Sequence, residues 1–169
     1  GPCDTHPDCW LVLPEALAGT DVEPVGYTAI ARADVILDET ESSQIYTCVE
    51  YQDDDSDDLL YAWKLKDVEA FLYDEHEGLL GFHFFNALSG APRWQVGKNL
   101  VTGSLISKIP SPDSSSDNIA WLWVGVTQNN DEGILAGINR IGRYCTKAGV
   151  PPSTGCSGED DVGNVFYSN

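Results

Sequence analysis

An apolar run at residues 119–127 constrains the fold of this chain more than any other feature of its sequence. The run is too short for a packed amphipathic helix, and its tryptophans, valines and polar flanks are typical of a buried β-strand. Because side chains alternate between the faces of a strand, Leu122 and Val124 share one face, and Trp121 and Trp123 share the other. We expect the first face to be core and the second to be covered by a second sheet or a ligand.

Short segments with the strand period recur along the rest of the chain, with turn signals between them and no convincing amphipathic helix. This pattern predicts an all-β domain, an antiparallel β-sandwich or barrel of about nine short strands, over residues 25–169. Residues 1–24 are predicted to form an N-terminal arm. Strands are predicted at residues 25–38 (one long or two short), 43–51, 59–66, 68–73, 79–85, 93–97, 101–106, 119–127 and 162–167, while residues 134–141 fit either a strand or a short helix.

The charge of the chain limits its partners. It has 27 acidic and 9 basic residues and a formal net charge of −18, which argues against nucleic acid or an anionic membrane as a partner. A solvated acidic surface explains this charge, and a cationic or metal-ion partner is the alternative. No window is apolar enough for a membrane-spanning helix, so we expect a soluble monomer without a cofactor.

Five cysteines are scattered towards both ends of the chain, which favours disulfides and an oxidising, extracellular compartment. The opening Gly1 and Pro2 are typical of a tag-cleavage remnant, so we expect a leader peptide to be missing from this sequence. Cys3, His6 and Cys9 have metal-ligand spacing, but no second pair completes a zinc site. A disulfide that involves Cys3 or Cys9 is the better interpretation, and two bridges would leave one cysteine over.

The aspartate run at residues 53–58 begins like a calcium-binding loop. An EF-hand needs glycine at its sixth position and glutamate at its twelfth, whereas this chain has Asp58 and Lys64 there. We therefore expect an exposed acidic hairpin tip, and Asp53, Asp55 and Asp57 remain only weak candidates for a divalent ion.

A series of short motifs in a fixed order resembles the secreted DUF3455 family, whose members occur in bacteria, fungi and plants. The matching segments are residues 44–48, 69–74, 81–84, Trp94, 110–113 followed by 119–122, 138–140, 149–156 and the final strand near Tyr167. The resemblance implies a bridge between Cys48 and Cys156, and Cys145 would then pair with Cys9 or Cys3. The family has no assigned function, and the malate dehydrogenase label of some fungal members finds no glycine-rich dinucleotide motif here.

Two classes of function remain open, a binding module and an enzyme, together with a structural role. The first is a non-catalytic extracellular module that binds a carbohydrate or a planar, apolar ligand by stacking on tryptophan. Its predicted ligand-binding residues are Trp94, Trp121, Trp123, Arg140, Gln44 and His83.

The second class is a secreted hydrolase or lyase in which His83 acts with Asp74, Glu69 or Asp113 as an acid–base pair. No sharp catalytic motif supports it, and a lone histidine in an aromatic strand is more often a hydrogen-bonded core residue. A structural or stress-protective surface protein is the third possibility. The residues favour a non-catalytic role and leave catalysis open.

Overall fold

The computed structural model describes residues 10–35, 42–158, 161, 163 and 165–168, the last four as backbone only. Its regular elements are almost all strands, as the sequence predicts. They are a 3-10 helix, Glu15–Leu17, and the strands β1 (Ser43–Gln52), β2 (Leu59–Tyr73), β3 (Leu79–Phe85), β4 (Pro92–Val96), β5 (Asn99–Ile109), β6 (Trp121–Asn129), β7 (Arg140–Arg143) and β8 (Val165–Ser168).

All eight strands belong to one antiparallel sheet with the order β7-β6-β5-β4-β3-β2-β1-β8. Strands β1 to β7 form a meander in which each strand pairs with the next, and β8 returns to pair with β1. Tight turns make this possible, for example after Tyr73, where Glu77 adopts a positive φ of 60°. In the described part of the chain there is no second sheet of a sandwich, and no ladder joins β7 to β8 as a barrel requires.

The described residues form eight strands where the sequence predicted about nine. Two segments lower the count by one strand each, and β7, which begins in the ambiguous residues 134–141, adds one. Residues 59–66 and 68–73 belong to the single strand β2, because a bulge at Lys66 replaces the predicted break. The Asp67 carboxylate holds this bulge by accepting hydrogen bonds from the amides of Val68 (2.7 Å) and Phe85 (3.0 Å). The described part of residues 25–38 contains only an isolated bridge between Asp34 and Tyr73, and residues 36–38 lie outside the described residues.

The sheet is strongly curled. Tyr46 Oη on β1 donates to the Gly149 carbonyl at 2.6 Å. A Cβ at Gly149 would touch both Gln44 of β1 and Ile119, which precedes β6. The charge of Arg143 on β7 also acts on the Tyr46 phenol, although β7 and β1 are six strand spacings apart in the sheet order. In a flat sheet this separation would be about 29 Å. We call the side on which these two residues meet the concave face, and the opposite side the convex face.

Register assigns further side chains to the concave face. His83 is opposite Ala70 on one side and Trp94 on the other, and directly opposed residues point to the same face. A Cβ at Gly103 would touch both the Trp94 ring and Val124, which places those two on the same face. Val124 and Leu122 alternate with Trp121 and Trp123, so both indoles belong to the convex face.

The N-terminal segment, residues 10–35, covers the tryptophans of the convex face. Trp121 is only 2% exposed and packs with Leu17 and Val22. Two hydrogen bonds fasten this segment: Tyr144 Oη donates to the Val22 carbonyl (2.8 Å), and Ser107 Oγ donates to the Asp21 carbonyl (2.6 Å). The chain's own N-terminal segment, rather than a second sheet, therefore provides the cover that the sequence left open.

The predicted disulfide between Cys48 and Cys156 is confirmed. Cys48 is buried at the middle of β1, so the bridge ties the C-terminal segment to the sheet. Cys145 is also disulfide-bonded; its predicted partners, Cys9 and Cys3, lie outside the described residues. No helix of the described residues has the length and apolar character needed to cross a membrane.

Candidate functional site

A polar groove of about 500 Å³ opens where the end of β6 meets the start of β7 and the N-terminal segment. Backbone pairing holds its two walls together, because the Val126 amide donates to the Asn139 carbonyl at 3.0 Å. The groove is lined by Tyr27, Val126, Thr127, Gln128, Asn129, Asp131, Gly137, Ile138, Asn139 and Arg140.

Arg140 and Tyr27 form the charged and aromatic part of the groove. The guanidinium lies over the Tyr27 ring, 5.0 Å from its centroid, and Nη1 donates to the Asn139 carbonyl at 2.8 Å. Trp123 contacts the same tyrosine edge-to-face, with ring centroids 5.5 Å apart. Tyr27 remains 42% exposed, so tyrosine presents the open aromatic surface and Trp123 supports it.

An asparagine network fixes the loop that forms the far wall of the groove. Asn99 is fully buried, and its Nδ2 donates to the side-chain oxygens of Asn129 (2.9 Å) and Asn130 (3.1 Å). Its Oδ1 accepts from the Leu135 amide, and the Asp131 carboxylate accepts from the Gly137 amide, both at 2.8 Å. A buried amide without its hydrogen-bond partners would destabilise the folded protein, so this network holds the loop in one arrangement before a ligand binds.

On the concave face, His83 and Trp94 stack with ring centroids 4.5 Å apart and an interplanar angle of 8°. His83 Nδ1 donates to the Arg93 carbonyl at 2.8 Å, which leaves Nε2 as the acceptor nitrogen of the neutral ring. Burial lowers the pKa of His83 to about 4, and the nearby charge of Arg143 acts in the same direction. His83 is therefore uncharged near neutral pH.

Comparison with known proteins assigns the chain to a family. A family model described as "Protein of unknown function (DUF3455)" matches residues 75–169, more than half of the chain. This chain belongs to the DUF3455 family. No curated protein and no solved structure matches it.

The DUF3455 match includes most of the groove but not all of it. Arg140 and the loop that the asparagines hold lie within the matched residues, whereas Tyr27 precedes them. The His83–Trp94 pair also lies inside the match. The matched residues therefore include β3 to β8, whereas β1, β2 and the N-terminal segment with the aromatic wall of the groove precede them.

The predicted ligand-binding residues separate into three places. Arg140 lines the groove and Trp123 lies behind its aromatic wall. Trp94, His83 and Gln44 belong to the concave face, where Gln44 is opposite Val68. Trp121 is buried beneath the N-terminal segment.

The residues of the alternative catalytic set are not brought together. Asp74 lies in the β2–β3 turn, where its Oδ1 accepts hydrogen bonds from the amides of Gly78 and His76, and these bonds lower its pKa. Glu69 is opposite Phe84, and so lies on the convex face, away from His83. Asp113 is exposed and pairs with Lys147 at 3.2 Å.

The aspartate run forms the tip of the β1–β2 hairpin, as the sequence predicts. Asp53 organises the turn, because its carboxylate accepts hydrogen bonds from the Asp55 amide (3.1 Å) and Ser56 Oγ (3.3 Å). A second open depression, of about 540 Å³, is lined by residues 52–57. Within the described ranges no three Asp, Glu, His or Cys residues are grouped as a metal ion would require.

Sequence reasoning overlooked several residues of these sites. Asn99 and Asn130 gave no signal because their partners are about 30 residues away in the chain. The alternation around Tyr27 predicts a strand and gives no sign of a ligand contact. Arg143 and Tyr46 were overlooked because only the curl of the sheet brings β7 near β1; a second arginine three residues after Arg140 was the one available clue.

Proposed function

We propose that this chain is a secreted, non-catalytic binding module that takes a carbohydrate or a similar hydroxyl-rich small ligand in the groove beside Arg140. The observation that carries this proposal is a pre-ordered polar groove with one aromatic wall. Its volume of about 500 Å³ lies within the range of small-molecule sites. The acidic composition and the Cys48–Cys156 bridge support an extracellular setting.

The chemistry of the lining favours hydroxyl groups over an apolar ligand. Gln128 and Asn139 offer both donors and acceptors. Thr127 offers only acceptor positions, because its hydroxyl donates to the Thr102 carbonyl at 3.2 Å. Arg140 offers donors alone and Asp131 acceptors alone. A hydroxyl group donates one hydrogen bond and accepts others, so vicinal hydroxyls can use neighbouring groups of both kinds. The part of the Tyr27 ring that Arg140 and Trp123 leave exposed adds a surface for the apolar side of a sugar ring.

This proposal moves the aromatic contact from tryptophan to tyrosine. Trp121 is covered by Leu17 and Val22, and Trp123 supports Tyr27 from behind. Arg140 provides direction, because only one of its five N–H donors has a partner among the described residues.

The experiment is a screen of neutral oligosaccharides on an array, followed by isothermal titration calorimetry of the best binder. Loss of hydrogen bonds from a charged donor costs about 1.5 to 3 kcal/mol, so Arg140→Gln should weaken binding about 10- to 100-fold. Tyr27→Ala should weaken it as well. Lys147→Ala is the matched control, because Lys147 is an exposed cation outside the groove. A glycan that binds Arg140→Gln as tightly as the wild type would contradict the proposal, as would a screen without any binder.

A further inference from the structure

Arg143 is a largely buried cation without an acidic partner. It comes from β7 and points to the concave face, where Nε (3.1 Å) and Nη2 (2.7 Å) both donate to the Ala120 carbonyl. Nη1 donates to no group in the described part of the chain. Across the described ranges, no carboxylate forms an ion pair with this guanidinium, although the chain has three acidic residues for every basic one.

The groups near Arg143 do not offset its charge. Tyr46 is its electrostatic neighbour, but burial raises the pKa of this phenol, and Tyr46 Oη donates to the Gly149 carbonyl at 2.6 Å. His83 is neutral near pH 7, for the reasons given above. Burial lowers the pKa of Arg143 to about 10, so the guanidinium keeps its charge at neutral pH. Burial removes part of the water around this guanidinium, but Nη1 itself is not fully buried. An anion can therefore reach Nη1 and offset a charge that no described carboxylate balances.

Four strands bring the parts of a site together on this face. Tyr46 comes from β1, His83 from β3, Trp94 from β4 and Arg143 from β7. The stacked rings of His83 and Trp94 form a flat aromatic wall, and both side chains remain partly exposed. Guanidinium donors match the two oxygens of a carboxylate, and a flat wall suits a planar group attached to it.

We propose that the concave face is an anion site in which Arg143 binds the carboxylate of a small planar organic acid and the His83–Trp94 pair contacts its body. The site lies on the opposite face of the sheet from the groove beside Arg140. It does not depend on the function proposed for that groove.

The test uses the whole chain with three sodium salts as probes: benzoate for a planar carboxylate, formate for a carboxylate alone and chloride for a simple anion. Benzoate should quench tryptophan fluorescence saturably and should bind about tenfold more tightly than formate, with chloride weaker still. Arg143→Gln should weaken benzoate about 10- to 100-fold, whereas Arg140→Gln, the matched change on the same strand, should leave its affinity unchanged.

If Arg143→Gln does not fold, NMR of the wild-type protein with benzoate tests the same site. Benzoate should shift the NMR resonances of Arg143 Nε–H and Trp94 Nε1–H, and it should leave those of Arg140 in place. Absence of saturable benzoate binding, or binding that leaves the Arg143 resonance unmoved, would overturn the site. Equal affinities for benzoate and formate would overturn the aromatic wall.

Discussion

At the scale of single residues, His83 makes the stability of the fold depend on pH. Its pKa is about 4 in the folded protein and about 6.5 in an unfolded chain, so the unfolded state binds more protons between these values. The stabilising contribution is complete above about pH 6.5 and is lost as the pH falls towards 4. Between pH 7 and pH 4.5, we expect the unfolding free energy of the wild type to fall by about 2 kcal/mol more than that of His83→Gln. Urea unfolding at both pH values measures this difference.

His76 provides the matched control for this prediction. It lies exposed in the β2–β3 turn, so His76→Gln leaves the buried His83 in place and should retain the loss of unfolding free energy between pH 7 and pH 4.5. The interpretation of His83 is wrong if both glutamine variants lose the same unfolding free energy over this range.

The residue scale also shows where prediction from sequence ends. The aromatic strand around His83 was predictable, because its side chains alternate and its flanks are polar. The pairing of His83 with Trp94 was not predictable, because the register of β4 against β3 is set by the turn at residues 86–91 and not by any local pattern. Gly81 shows the same constraint, because a Cβ there would collide with the Gln95 carbonyl of the neighbouring strand.

At the scale of elements, the Cys48–Cys156 bridge joins β1 to a segment 108 residues later. Closing a loop of this length is worth about 4.7 kcal/mol in the chain-entropy account. We expect Cys48→Ala/Cys156→Ala to lower the unfolding free energy by about 3 to 5 kcal/mol, measured by denaturant titration. Peptide mapping of the wild type under non-reducing conditions should yield the linked pair. A double variant as stable as the wild type would show that the bridge adds nothing.

Elements with a strong alternating pattern were predicted well, while those with small or mixed side chains were not. β1 and β3 were predicted to within a residue, because each alternates or is densely aromatic and ends at polar turn residues. Residues 27–33 alternate only through alanines after Tyr27, and small side chains of this kind bury little surface. Without a partner strand, this segment lies along the sheet as part of its cover. Most of residues 134–141, predicted as a strand or a short helix, belong to the loop that Asn99 holds, and only the short strand β7 follows.

At the scale of the whole molecule, the net charge of −18 opposes the compact state through self-repulsion. Salt should therefore stabilise this protein. Raising sodium chloride from about 0.02 M to about 0.5 M shortens the screening length from about 20 Å to about 4 Å. We expect the melting temperature to rise by several degrees, which corresponds to about 1 to 2 kcal/mol for a chain of this size. Calorimetry at a series of salt concentrations measures the rise.

Replacing sodium with tetramethylammonium separates screening from cation binding. General screening predicts the same rise with both chlorides at equal ionic strength. A melting temperature that falls with salt, or that rises only with sodium, would contradict the electrostatic account.

The return of β8 to pair with β1 sets an order of events during synthesis. Strands β1 to β7 can form hairpin by hairpin as they emerge, since each meets a partner made just before it. The outer edge of β1 has no such partner until Val165–Ser168 are made, and Cys48 must wait almost as long for Cys156. Cys3 and Cys9 are available throughout that interval. We therefore expect early oxidation to produce non-native pairings, which thiol–disulfide exchange must reverse before the final strand is in place.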